Sequence, residues 1–178
     1  MSASNTTRPA ASIGPIVSSA HLADGAVPAL SEVEFGMLLS SHAFERWMVR
    51  CMTAAGEAGL TATEVTVLHT VTHRGTSKRL ADICLVLGIE DTHLVTYAVR
   101  KLEEKGLVIR RKSGKERLIQ VTPAGEDACS RYRDLRERIL VAGISELGLS
   151  PERMSEIAHL LRLLSGHYDQ AARTAATL

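Results

Sequence analysis

The chain has 178 residues, 45% of them apolar and only 3% aromatic, which allows one core built from Leu, Ile, Val, Ala and Met and disfavours an all-β architecture. That length leaves no room for two large independent domains. The 21 Lys plus Arg almost cancel the 20 Asp plus Glu, an average that speaks against a polyanionic partner. The average hides an asymmetry: residues 74–117 hold 11 basic against 6 acidic residues, whereas residues 1–73 are at −3 and residues 118–178 at −1. A local surplus of this kind is either a phosphate-facing patch or a solvated surface.

Residues 1–29, rich in Ser, Ala, Thr, Pro and Gly, lack periodicity and read as a flexible leader. Ser31 with Glu34 has the spacing of a capping box. Val33, Met37, Phe44, Met48 and Cys51 then recur at helical steps, predicting a long helix to about Ala55 before Gly56 and Gly59. Thr61 with Glu64 repeats the capping signature ahead of Val65, Leu68 and Val71. A short helix is expected from Lys78 to Leu87, closed by Gly88, and another from Thr92 to Gly106 with Leu94, Val95, Ala98, Val99 and Leu102 inward.

The period then changes: Leu107, Val108 and Ile109, a polar run, and Leu118 to Val121 predict a β-hairpin with a basic tip near Gly114. Thr122-Pro123 and Ser150-Pro151 are helix starts. The first helix is expected to run to about Leu147 with Tyr132, Leu135, Ile139 and Leu140 inward, and the last to bury Met154, Ile157, Leu160, Leu161, Leu164 and Tyr168. The fold class is mainly α with a small β-hairpin, a winged helix-turn-helix core flanked by long helices. Its physical logic is that a helix fits the DNA major groove while a basic loop beside it reaches phosphates or the minor groove.

The stretch from Lys78 to Leu140 resembles the winged-helix core of the multiple-antibiotic-resistance regulator (MarR) family, most specifically in LAD at 80–82, KLEEKGLVIRR at 101–111 and VTPAG at 121–125. With the flanking helices, the likeness runs from Leu30 to Leu164. Two positions depart from the family pattern: Tyr97 stands where an Arg is common, and Ser113-Gly114-Lys115 aligns with Asp-x-Arg at the wing tip. The resemblance implies a cytoplasmic transcription regulator that binds pseudo-palindromic operator DNA as a homodimer and is released by a small-molecule effector. It divides the chain into the leader at 1–29, a dimerisation helix at 30–60, the DNA-binding core at 61–122 and dimerisation helices at 123–178. By position, Thr92, His93, Thr96 and Tyr97 are the candidates for base contacts, and Arg100, Arg111, Lys112, Lys115 and Arg117 for phosphate contacts.

Two alternatives remain. The core is a module that docks a protein partner, consistent with the missing recognition Arg, or it belongs to a metal- or redox-sensing variant of the regulator. His69 and His73, at i and i+4, have a spacing that serves a metal, but no Cys-x-x-Cys or His-Glu-x-x-His accompanies them. Cys51 adjoins Arg50 yet lies on the apolar stripe. Nothing in the sequence resembles a nucleophile elbow or phosphate-binding glycine loop, so neither an enzyme nor a cofactor is expected. The three dispersed cysteines suit a reducing interior, and no membrane segment or membrane partner is expected.

Overall fold

The computed structural model describes residues 14–114 and 116–178. A helical turn, α1 (Ala20–Ala23), precedes the long helix α2 (Pro28–Ala54). This helix begins at Pro28 rather than at a Ser31 cap, because proline needs no N–H partner at the first helical position. Ser31 lies one turn inside, buried, and its hydroxyl donates to the Leu22 carbonyl at 2.6 Å, tying α1 onto α2. The Ile16 amide donates to Glu32 at 3.1 Å. Part of the stretch read as a flexible leader is therefore anchored to α2, while its residues 1–13 lie outside the described residues.

Helix α3 (Ala62–Thr72) has the predicted capping box: the Glu64 amide donates to Thr61 Oγ1 at 3.3 Å, and the Thr61 amide to Glu64 Oε2 at 2.7 Å. It buries Val65, Val67, Leu68 and Val71. A tight reversal follows, with Arg74 at φ 61°, the left-handed region that non-glycine residues rarely hold. Lys78 and Arg79, expected to open a helix, instead form a strand, β1 (Lys78–Arg79), whose extended Arg79 precedes α4 (Leu80–Leu87). Pairing with a neighbouring strand satisfies their backbone groups, which no helical window discloses.

Gly88, at φ 62°, ends α4, and Asp91 opens α5 (Thr92–Glu104) by accepting the His93 amide at 2.9 Å. The strands β2 (Val108–Ser113) and β3 (Glu116–Val121) make the predicted hairpin, but β1 extends it to a three-stranded antiparallel sheet in the order β1-β3-β2. Lys78 is paired with Ile119 and Arg79 with Leu118; across the wing, Val108 faces Val121, Arg110 faces Ile119 and Lys112 faces Arg117.

Thr122 caps α6 (Pro123–Leu135) by accepting the Gly125 amide at 3.1 Å. The helix expected to reach Leu147 then widens into a π-helical stretch over Arg136–Val141 before α7 (Ala142–Ser145). Such a stretch shifts the faces that follow it. Ile139, expected inward, is accordingly 53% exposed. Ser150 caps the final helix, α8 (Pro151–Ala175), which buries no residue.

The core lies where α2, α3, α4, α5, the sheet and α6 meet, with Met52, Leu68, Ile83, Leu102, Leu107 and Val99 fully enclosed. Leu94, expected inward, points out. Val33 and Phe44 of α2, and Met154, Ile157, Leu160, Leu161 and Tyr168 of α8, are likewise exposed, because nothing in one chain covers these faces. Between these two helices, Tyr168 Oη donates to Glu34 at 3.0 Å. No helix among the described residues is long and apolar enough to cross a membrane.

Candidate nucleic-acid interface

Helix α5 separates its two faces sharply. Val95, Ala98, Val99 and Leu102 are buried against the core. At 100° per residue, Thr92, His93, Thr96, Tyr97 and Arg100 fall within about 140° on the other side, and all five are exposed. His93 and Tyr97 therefore do not pack on α4. The Thr96 hydroxyl donates to the Thr92 carbonyl at 2.9 Å, which leaves its lone pairs and methyl group facing out. Arg100 is held by Glu104 at 3.0 Å.

The wing stands beside this face. Cross-strand partners share a side of a sheet, so Arg110, Lys112 and Arg117 continue the side that buries Val108 and Ile119, whereas Arg111 lies on the reverse with Leu118. Arg117 and Arg110 line a shallow depression together with Thr96, Leu80 and Ile119. Helix α5 and the wing thus meet at Thr96 and Arg117. Tyr97 and Arg100 border a separate depression with Glu64 of α3. Among the described residues, Arg111, Lys112 and Arg117 have no carboxylate within ion-pair distance, and all three are exposed. Lys115 lies outside the described residues.

Arg110 was not among the expected contacts, although it belongs to the same basic run. Its guanidinium lies 3.6 Å from Glu103, whose carboxylate also accepts the Arg110 amide at 3.3 Å, so it joins β2 to α5. Arg79 does the same from β1: it pairs with Asp82 at 2.9 Å and with Glu116 of β3 at 3.6 Å. The hydrogen bond and charge of Arg79 hold the Asp82 carboxyl below its ordinary range. Three strands and two helices are thereby braced around one basic surface.

Between α2, α3 and α6 is a cavity of about 660 Å³. Phe44, Trp47, Met48, Val86 and Tyr132 supply apolar wall, and Lys78, Arg133 and Arg136 supply charge. His69 and His73 both reach it. His69 packs edge-on against Tyr132, ring centroids 4.6 Å apart, and burial pushes its pKa down. Among the described residues, no three His, Cys, Asp or Glu side chains cluster as a metal site would need. Cys51 is buried with its thiol directed at the Tyr132 carbonyl, 3.7 Å away, and burial raises its pKa. That is the opposite of the depressed, exposed thiolate a redox sensor uses.

Residues 60–125 match the family model of the winged helix DNA-binding domain. These residues fold as a winged helix domain. The domain comprises α3, β1, α4, α5 and the wing, and it holds every candidate contact named above. Over about four fifths of the chain, the fold is that of structures of MarR-family regulators. It is similar to a mutant MarR from E. coli complexed with operator DNA (16% identity, TM-score 0.63, covering 79% of this chain and 98% of that one). It is also similar to a MarR family regulator from Neisseria meningitidis (16%, 0.63, 80% and 95%). A third similar structure is CouR from Rhodococcus jostii RHA1 bound to p-coumaroyl-CoA (17%, 0.58, 74% and 90%). No curated protein matches the chain by sequence.

Proposed function

We propose that this protein is a MarR-type transcriptional regulator that docks α5 in the major groove of operator DNA and lays its wing along the flanking backbone. The observation that carries this reading is the exposed face of α5 meeting unpaired wing cations at Thr96 and Arg117. Thr92, His93, Thr96 and Tyr97 address base edges; Arg100, Arg111, Lys112, Lys115 and Arg117 address phosphates. The operator DNA bound by the similar E. coli mutant MarR supports the same docking here.

The acting form is a homodimer. Leu38 and Leu39 of α2 and Leu160 and Leu163 of α8, each near half exposed, offer an apolar surface that a second copy buries. Two such winged domains read half-sites about one helical turn, roughly 34 Å, apart. The cavity between α2, α3 and α6 is the site of a small-molecule effector that releases the DNA; its apolar walls and cationic rim, and the p-coumaroyl-CoA bound by CouR, support this.

Fluorescence anisotropy with duplex DNA at a series of salt concentrations tests the docking. With about four to six phosphates neutralised per dimer, log affinity should fall against log salt with a slope of about −4 to −5. An association that ignores salt, or no association with DNA at all, would assign the surface to a protein partner instead.

A further inference from the structure

The ends of α2 and α5 and the body of α6 converge on one carboxylate, that of Glu57. Helix α2 closes in a Schellman turn, in which Gly56, at φ 97°, donates its amide to the Thr53 carbonyl and Glu57 donates its amide to the Met52 carbonyl, both at 3.0 Å. The backbone of Glu57 is thereby fixed to the last turn of α2, and its side chain is only 20% exposed. Each carboxylate oxygen faces a different cation: Oε1 lies 3.5 Å from Arg131 of α6, and Oε2 lies 3.7 Å from Lys105, the residue that caps the end of α5. Arg131 in turn donates from Nε to the Ala55 carbonyl at 2.5 Å and pairs with Asp127 one turn back on its own helix.

A second tie holds the same end of α5. Thr122, the cap of α6, donates its hydroxyl to the carbonyl of Gly106, one residue beyond Lys105, at 2.7 Å. The C-terminal end of α5 is therefore anchored on α2 and α6, while Thr92 and His93 stand at the other end. Thirteen residues at about 1.5 Å per residue put about 20 Å between the two ends. A tilt of about 5° at Lys105 moves the Thr92 end by about 1.7 Å, and in a two-fold dimer the two displacements sum to about 3.4 Å, one base-pair step. Ion pairs as exposed as these add little to stability. What Glu57 governs is the direction of α5.

We propose that Glu57 is a positioning residue for operator recognition: by holding Lys105 and Arg131 on one carboxylate, it sets the angle of α5 against the frame of α2 and α6, and so the half-site spacing that the homodimer accepts. The inference rests on reading the chain as a dimeric regulator and adds a determinant of spacing that lies outside the docking surface. Without the carboxylate, two cations are left side by side with nothing between them, and their repulsion opens the joint.

The test uses the full chain, with the half-site first obtained by selection from a randomised duplex pool. Anisotropy then compares inverted pairs of that half-site whose spacing is changed by one or two base pairs in either direction. The unmodified chain should lose about tenfold or more in affinity for each base pair of change. Glu57→Gln keeps the shape and removes the charge. It should bind best at a spacing shifted by one base pair, or bind two neighbouring spacings within about threefold of each other. Its affinity for a single half-site should stay within about twofold, and its melting temperature within about 4 °C, of the unmodified chain. Lys105→Met breaks the same joint from the α5 side; it should give the same change, and the double variant no more than either alone. A loss of affinity equal at every spacing, or an unchanged spacing preference in both variants, would overturn the role of Glu57 and leave the regulator reading intact. If the unmodified chain binds no duplex, or binds single and paired half-sites equally, the dimeric regulator reading fails and the positioning role fails with it.

Discussion

Lys112 and Arg117 stand directly opposite each other across the end of the wing, two cations in one cross-strand pair. Like charges so placed destabilise a hairpin by about 0.2–1 kcal/mol, and no carboxylate among the described residues offsets them. A phosphate backbone would. Lys112→Ala or Arg117→Ala should leave the melting temperature unchanged or slightly higher while weakening binding to every duplex alike. Each subunit would then neutralise one phosphate fewer, so the magnitude of the salt slope should drop by about 2 for the dimer. An unchanged slope would remove the wing from the interface.

Thr96 differs in kind, because its proton is spent on the Thr92 carbonyl. What faces out is an acceptor and a methyl group, suited to the amino groups of adenine or cytosine and to the thymine methyl. Thr96→Val keeps the methyl and deletes the acceptor. It should cost about 1–3 kcal/mol on the preferred site and far less on random duplex. Tyr97→Ala, which removes a side chain 68% exposed, should likewise change which sequence is selected. Selection from a randomised duplex pool measures both.

Much of this surface is written in local patterns. The α5 stripe, the Thr61 capping box and the Thr122-Pro123 start all depend on neighbours within one turn, and all are present, although the stripe is Val95, Ala98, Val99 and Leu102 without the expected Leu94. Lys78 and Arg79 form a strand only because Leu118 and Ile119, far along the chain, present a free edge. Ser31 fits a cap by spacing, but Pro28 starts the helix earlier and the Leu22 carbonyl takes the Ser31 hydroxyl. The pairing of Arg100 with Glu104 follows from i, i+4 spacing, whereas that of Arg110 with Glu103 depends on how β2 crosses α5. The cavity draws on α2, α3 and α6 at once, so no window of sequence contains it.

Gly125, within the VTPAG segment, is needed for close approach. A Cβ there would overlap the Leu107 carbonyl oxygen and lie 2.8 Å from Val121 Cγ2, and both partners are fixed by the sheet and the Thr122 amide, which donates to that carbonyl at 3.0 Å. Gly125→Ala should therefore destabilise by about 1–3 kcal/mol or more through overpacking. Denaturant unfolding would read this as a lower midpoint, and an unchanged midpoint would mean that α6 can shift freely against the wing.

The exposed leucines of α8 give the homodimer a direct test. Leu160 and Leu163 are each 51% exposed in the single chain, although α8 is 25 residues long and capped at Ser150. A helix with such a face is stabilised mainly by what it packs against. Leu160→Glu with Leu163→Glu should convert a dimer in sedimentation to a monomer with a lower, concentration-independent melting temperature. A doubly substituted chain that still sediments as a dimer would place the interface elsewhere.

His69 makes stability depend on pH in a definite direction. Its ring is packed on Tyr132, its Nε2 is buried without a partner, and burial holds its pKa below the ordinary 6.5. Once the pH falls below that ordinary value, the unfolded chain takes up a proton that the folded chain refuses, so the unfolded state gains. The contribution of His69 is therefore complete above about pH 6.5 and is lost progressively as the pH drops toward its folded pKa. His69→Phe retains the aromatic contact and removes the titration. Between about pH 7 and pH 5, the melting temperature of the unmodified protein should fall more steeply than that of His69→Phe. Parallel curves for the two proteins would mean that His69 is solvated well enough to accept its proton in the folded state.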